Sequence, residues 1–323
     1  MTGSELLVNR RIYVAGHRGL VGSAVWRALE GAGCEHLIGA THDELDLTDR
    51  TATHAFLKLH GPEAVIVCAA TVGGIKANAT RPVDFLINNL NIQNNLISCA
   101  HALEVPKLVF LGSSCIYPRN CPQPMSESAL LTGPLEATNR AYALAKIAGI
   151  ELCWGYNRQF GRRYVAAMPT NLFGPGDNYD LEDSHVLPSL IRRMHEAKLA
   201  AAPDLTLWGT GSPLREFLYS DDLANALVYL ISANDEVLAP LFNEQIPPLV
   251  NVGYGAEISI RGLAERIASI VGYEGVIQWD TSQPDGTPRK LLDSTLIQSL
   301  GWRPCISLDD GIRLAYSDYR ARL

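Results

Sequence analysis

Four side chains near the middle of the chain have the types and spacing to act on a carbonyl group. Ser113 and Cys115 stand two apart in Leu111-Gly112-Ser113-Ser114-Cys115, and Tyr142-Ala-Leu-Ala-Lys146 follows downstream. A serine hydroxyl and a phenol together hydrogen-bond a carbonyl oxygen and stabilise it as negative charge develops there. Residues four apart on a helix share a face. Lys146 therefore lies beside Tyr142, where its ammonium, together with the positive nicotinamide of an oxidised cofactor, is expected to draw the phenol pKa down toward neutrality. Such a set moves a proton on or off oxygen while a hydride moves on or off carbon. Cys115 adds a second chemistry, removal of a proton from a carbon next to the carbonyl. A cysteine is ordinarily a small buried apolar residue, and the other six are read that way. Cys115 differs because it follows Ser113 by two, past the strand end and facing the pocket.

A hydride needs a carrier, and the N-terminal region has the loop for one. Gly16-His17-Arg18-Gly19-Leu20-Val21-Gly22 follows an apolar strand and opens a helix. Backbone amides at that helix start, approached closely because glycine has no side chain, bind a pyrophosphate. The second strand ends Gly39-Ala40-Thr41-His42, with no acid before Asp43 to accept from a ribose 2′-hydroxyl. Arg18 is placed to reach a 2′-phosphate instead, so the expected cofactor is NADP(H). Asp46-Leu47 is expected to flank the adenine; the competing role is a helix cap together with Thr48-Asp49.

The elements that must position these groups alternate strand and helix. Strands are expected at 12–15, 36–40, 64–70 and 108–111, each apolar throughout, with helices at 21–30, 85–103 and 142–159. Uniformly apolar strands are covered on both faces by helices, which predicts an α/β fold with a doubly wound parallel sheet of the Rossmann type. After Pro169 the texture changes. Residues 171–185 read as a long surface loop, 186–197 as a helix, and a strand should contain Trp208. Residues 217–232 and 249–252 are expected to return to the first domain, with further helices at 260–271 and 307–321. The expected division is a nucleotide domain of 1–170 and 216–254 and a smaller substrate domain of 171–215 and 255–323.

Composition narrows the setting. The 323 residues are 47% hydrophobic and 19% charged, a globular balance. A net charge of −7 argues against a nucleic-acid or anionic-membrane surface. Seven cysteines without CxxC spacing fit a reducing compartment, no His/Cys cluster has zinc-ligand spacing, and the leader Met1–Arg10 does not read as a signal peptide. A cytoplasmic enzyme without metal is the expectation.

Several strings taken together resemble the GDP-L-fucose synthases, the GDP-4-keto-6-deoxy-D-mannose epimerase-reductases among the extended short-chain dehydrogenase/reductases. They are Gly16-His17-Arg18-Gly19, Ser113-Ser114-Cys115-Ile116-Tyr117-Pro118, Tyr142 to Gly149, Pro169-Thr170-Asn171-Leu172, Ser184-His185-Val186 and Pro284 to Lys290. The resemblance runs from about Arg11 to Lys290. It implies two reactions in one pocket: Cys115 as base and His185 as acid inverting C3 and C5 of a 4-keto sugar, then reduction of C4 with Tyr142 as proton donor. Leu111 to Ser114, Lys146, Pro169 to Leu172 and His185 would touch the cofactor. Arg193, Trp208, Arg215 and Asp285 would hold the GDP-sugar. The family is usually homodimeric, here through helices 85–103 and 142–159. Relatives often carry arginine at the position of His42, which leaves more of the 2′-phosphate to Arg18, and lysine at that of Thr71. Rival readings remain. A sugar 4,6-dehydratase needs an Asp-Glu pair where Ser114-Cys115 stands, a plain 4-epimerase needs no thiol, and a non-catalytic NADP sensor needs no Ser113-Tyr142-Lys146 set.

Overall fold

The computed structural model describes residues 7–181, 184–283 and 285–323, without the side chains of residues 75 and 76. Met1 to Leu6 of the leader, Pro284 of the 284–290 string and positions 182 and 183 of the expected loop lie outside the described residues. The first half runs β1 (Arg11–Ala15), α1 (Leu20–Gly31), β2 (His36–Ile38), α2 (Arg50–His60), β3 (Ala64–Val67), α3 (Ile75–Thr80), α4 (Pro82–Ala102), β4 (Lys107–Leu111), α5 (Arg140–Phe160) and β5 (Arg163–Pro169). The second runs β6 (Asn171–Phe173), α6 (Val186–Leu199), β7 (Asp204–Trp208), β8 (Leu214–Tyr219), α7 (Ser220–Ser232), α8 (Asp235–Leu238) and β9 (Leu249–Val252). It ends with β10 (Glu257–Ser259), α9 (Ile260–Val271), β11 (Val276–Asp280), β12 (Arg289–Lys290), α10 (Thr295–Ser299) and α11 (Leu308–Ala321).

Six strands form one parallel sheet in the order β2-β1-β3-β4-β5-β9. Its strands are apolar throughout because each face feeds a separate core. Ile66 of β3 packs with α1 and α7, while Val65 and Val67 pack with α4 and α5. Each such side chain, fully buried, contributes about 1.5–3 kcal/mol relative to exposure. The strand order reverses between β1 and β3, and the crevice at such a switch point, above the carboxyl ends of the strands, is where ligands bind.

The second lobe carries β10-β8-β12, with β6 paired to the later residues of β8, and a separate β11-β7 pair. Its own core gathers Phe173, Leu187, Ile191, Phe217, Leu263 and Ile312. Two expectations change here. The stretch 171–185 is not loop from its start, because Asn171–Phe173 pairs in parallel with Phe217–Tyr219 and buries Phe173. The stretch 217–232 divides, since its first three residues belong to β8 of the small sheet and only α7 packs on the large one. The two lobes also interleave: Ile297, Leu300 and Trp302, from late in the chain, pack into the core beneath α1 and α7.

Candidate active site

The loop between β1 and α1 is shaped by glycine. Gly16 has φ +83°, and a side chain there would press on the backbone of Ala69, 2.8 Å from its nitrogen. A side chain on Gly22 would fall on the carbonyl oxygen of Gly16. The loop is thus packed against the end of β3 and the start of α1, and Gly19 caps that helix without a side-chain acceptor or an acid in the first turn. Its first residues line a cleft of about 800 Å³, and a helix start of this kind suits an anion.

That cleft collects most of the residues expected to touch a dinucleotide. Gly16, Gly19 to Gly22, His42, Asp46, Leu47, Leu111 to Ser114, Lys146, Pro169 to Leu172 and His185 all line it. His17 and Arg18 do not. The His17 ring packs on Trp26 with centroids 5.3 Å apart and fills the space over Gly39, and Arg18 is exposed. Glu44 was not expected. Its carboxylate accepts from Thr41 N at 2.7 Å and Thr41 Oγ1 at 2.9 Å, and these bonds, helped by Arg18, hold its pKa below the ordinary value. Asp46 is occupied locally by Thr48 N and Oγ1, while Asp49 caps α2. The wall also includes Cys68 to Val72 after β3 and Asn88 and Ile92 from α4. The residues after β3 were legible in principle, since every parallel strand of such a sheet delivers its C-terminal end to the crevice.

The carbonyl-handling group assembles where β4 ends. Ser113 has extended backbone (φ −161°), and its Oγ accepts from Cys115 N at 3.4 Å as the chain turns into a single 3₁₀ turn, Ser114–Ile116. Tyr117, just after that turn, donates its hydroxyl to Asn251 Oδ1 at 2.6 Å and so pins the turn to β9. Lys146 is 3% exposed and donates Nζ to the Leu111 carbonyl at 2.8 Å, beneath the rings of Phe110 and Tyr142. Burial lowers its pKa to about 8.

The phenol differs from expectation. Burial, with Cys115 adding to it, raises the Tyr142 pKa instead of drawing it toward neutrality. Burial of the hydroxyl dominates, and the hydrogen bond that Lys146 Nζ makes here goes to the Leu111 carbonyl. A phenol kept protonated is the state that gives a proton to an alkoxide.

Cys115 is buried beside this group and does not line the main cleft. Burial raises its thiol pKa, while the Ser113 hydroxyl, Lys290 and Lys146 oppose the rise. Lys290 was not singled out from sequence as a site residue. It reaches the site because β12 pairs in parallel with β8, setting Lys290 against Arg215. His185 caps α6 and opens onto the cleft, with its imidazole pKa lowered by the protein crowding it.

The four residues expected to hold a GDP-sugar lie outside the main cleft, around the β7–β8 connection. Arg193 donates to Thr206 O at 2.6 Å, and Trp208 is 72% exposed. Asp285 accepts from Thr210 N at 2.9 Å and Thr210 Oγ1 at 2.7 Å, which lowers its pKa, and Arg215 lies within its electrostatic reach.

Comparison with known proteins agrees with this geometry. Residues 12–253 match the model of the NAD dependent epimerase/dehydratase family. GDP-L-fucose synthase 1 of Arabidopsis thaliana is 52% identical, with 96% of this chain and 93% of the relative covered. GDP-L-fucose synthase of Escherichia coli (strain K12) is 51% identical, with 95% of each covered. Among solved structures, the GDP-mannoheptose C4 reductase MlghC from Campylobacter jejuni, with NADP bound, superposes with a TM-score of 0.89 at 36% identity, covering 97% of this chain and 99% of that one. The chain belongs to the NAD dependent epimerase/dehydratase family and stands within it beside the GDP-L-fucose synthases.

Proposed function

We propose that this chain converts GDP-4-keto-6-deoxy-D-mannose to GDP-L-fucose with NADPH, inverting C3 and C5 and then reducing C4. The observation that carries the reading is a buried thiol, Cys115, in the turn after Ser113 and within electrostatic reach of Lys146, Lys290 and the phenol that would serve the C4 oxygen. Relatives near half identity bear the name of this activity, and a C4 reductase of similar fold was solved with NADP bound. When bound in the main cleft, the dinucleotide supplies a hydride for C4. The glycine loop holds its pyrophosphate, Lys146 its nicotinamide ribose, and the 39–47 stretch its adenosine end.

The remaining chemistry belongs to the side chains. Ser113 and Tyr142 hydrogen-bond the C4 oxygen and stabilise the enolate formed when Cys115 removes a proton from C3 or C5. The two lysines favour the thiolate that burial opposes. His185 returns a proton from the opposite face, which inverts the centre. Tyr142 protonates the C4 alkoxide last, because reduction removes the ketone that acidifies the neighbouring carbons. Arg193, Trp208 and Arg215 bind the nucleotide-sugar, with Asp285 ordering the loop beside them. The large-sheet lobe is then the nucleotide domain and the small-sheet lobe the substrate domain. The reading also has the chain acting as a cytoplasmic homodimer through α4 and α5, whose exposed Val83, Ile87 and Leu144 offer an apolar face, without nucleic-acid or membrane partners.

Incubation with GDP-4-keto-6-deoxymannose in deuterated water tests this. The wild type should incorporate deuterium at C3 and C5 and consume NADPH. Cys115→Ser should lose at least a hundredfold in incorporation while still binding NADPH, and Tyr142→Phe should retain part of the exchange and lose reduction. Normal epimerisation by Cys115→Ser would overturn the assignment.

A further inference from the structure

Behind His185 lies a second cavity, of about 340 Å³, that the chemistry above leaves unused. His185, Leu20 and Val72 line both it and the main cleft, so the imidazole stands in the partition between them. The walls of the second cavity include Arg81, Gly176 to Asn178 and Ser184. Asp177 is 8% exposed. Its Oδ1 accepts from Asn178 N at 2.8 Å, but Oδ2 is buried and has no partner among the described residues, and the same holds for Ser184 Oγ. Buried carboxylate oxygens are rarely left so. A cavity of this size, with two unfilled hydrogen-bonding atoms on the residues of its wall, suits ordered water.

The proposed reaction creates a need that this cavity fits. In each inversion the C–H bond breaks, its proton forms an S–H bond on Cys115, and the electron pair enters the enolate. His185 then loses its N–H proton to form the new C–H bond on the other face. The step ends with a thiol and a neutral imidazole, whereas the next inversion needs a thiolate and an imidazolium. Two inversions on one bound sugar therefore require His185 to be recharged between them.

Resting on that two-inversion reading, we infer that Asp177 recharges His185 through water in the rear cavity, with Ser184 completing the hydrogen-bonded path. The Asp177 O–H bond breaks as a proton passes along the water chain, and an N–H bond forms on His185. Asp177 is left as a carboxylate and takes a proton from solvent, while the Cys115 proton leaves to solvent water. Burial raises the Asp177 pKa to about 7, so at neutral pH a large share holds a proton to give. Among the described residues, the charged groups that face it are these. Arg322, just past α11, donates Nη1 to the Asp177 carbonyl at 3.3 Å and is itself paired with Asp318 at 2.7 Å, and Arg81 lines the cavity from the end of α3. Asp318 also accepts from Gly176 N at 3.1 Å, and His185 faces the cavity from α6. Asp177 acts through His185 and is a positioning and relay residue, not one that touches substrate.

The test follows deuterium incorporation at C3 and C5 separately, on the full-length enzyme with GDP-4-keto-6-deoxymannose. Asp177→Asn should slow incorporation at the second centre at least tenfold. Incorporation at the first centre, NADPH affinity and the melting temperature should stay near wild type. In Asp177→Ala, which opens room for a small acid, added formate should restore the second centre. Wild-type incorporation at both centres, equal loss at both, or no effect of formate overturns the relay. If Asp177→Asn does not fold, Ser184→Ala must show the selective loss, and wild-type behaviour there overturns it equally. Failure of the wild type to label either centre would instead sink the epimerase reading itself.

Discussion

Lys146 carries an ammonium into a place with almost no water, and the cost of doing so is measurable. In an unfolded chain lysine titrates near 10.4, whereas here burial lowers the pKa to about 8. The folded state therefore binds the proton less tightly. The penalty is fully present below about pH 8 and is relieved as pH rises from there toward the unfolded value. Lys146→Met removes the charge but also the donor to the Leu111 carbonyl, which returns about 1 kcal/mol of the gain. The cofactor-free variant should thus be more stable by about 2 kcal/mol at pH 7, with the advantage shrinking above pH 8. Urea unfolding at pH 7 and pH 9.5 checks the sign, and C4 reduction should fall by roughly a hundredfold. At this scale the sequence was a good guide to which residues meet and a poor guide to their charge state. Spacing alone set Lys146 on the face of Tyr142. That its ammonium is spent on a carbonyl at the end of β4 depends on how α5 docks there, which no local pattern records. Lys290 escaped notice for a similar reason: a two-residue strand carries it in, paired with Arg215 far away in sequence.

Elements were legible where one-sided or complete burial comes with a typical composition, and obscure where burial is slight or the composition has little strand preference. The α9 helix, with a sharply segregated apolar face, was placed residue for residue, and the apolar cores of β1, β3 and β4 stood out for the same reason. The α2 helix buries only Thr53 and Leu57 and leaves little periodicity to see. β5 is fully buried from Tyr164 onward but rich in alanine and closed by Pro169, a composition with weak strand preference. β6 is three residues long and hidden in a run of Gly, Pro, Asn and Asp. The strand–loop–helix unit at β1 and α1 was the clearest, because there the glycines have one physical job. Gly22→Ala tests it. A methyl group on the Gly16 carbonyl must push the loop away from α1, so stability should fall by about 1–3 kcal/mol. NADPH affinity, followed by quenching of protein fluorescence, should drop at least thirtyfold. Far-UV circular dichroism should stay unchanged, since α1 itself remains a helix.

Over the whole molecule, the cleft works only if its two walls keep their distance, and the chain secures this by weaving the lobes together. Glu216, fully buried on β8, accepts from Gly255 N at 2.7 Å and Leu292 N at 3.1 Å, while its carbonyl accepts from Thr170 Oγ1 and Asn171 Nδ2 of the cleft wall. Asn251 of β9 ties Tyr117 to the carbonyls of Met125 and Asp293. Trp302 completes the weave, since it lies beyond the substrate-side strands in sequence yet packs beneath α1 and α7. A domain plan drawn from runs of sequence could not show this, because it assigns long stretches to one lobe each. Interleaving predicts that damage to one lobe is felt by both. Trp302→Ala empties a large site in the core of the large-sheet lobe and should cost about 3–5 kcal/mol. Unfolding in urea, followed by far-UV circular dichroism and by loss of NADPH binding, should remain one transition with coincident midpoints shifted together to lower urea. Were the lobes independent, NADPH binding would fail first and a second transition, from the α6, α9 and α11 layer, would persist at the wild-type midpoint.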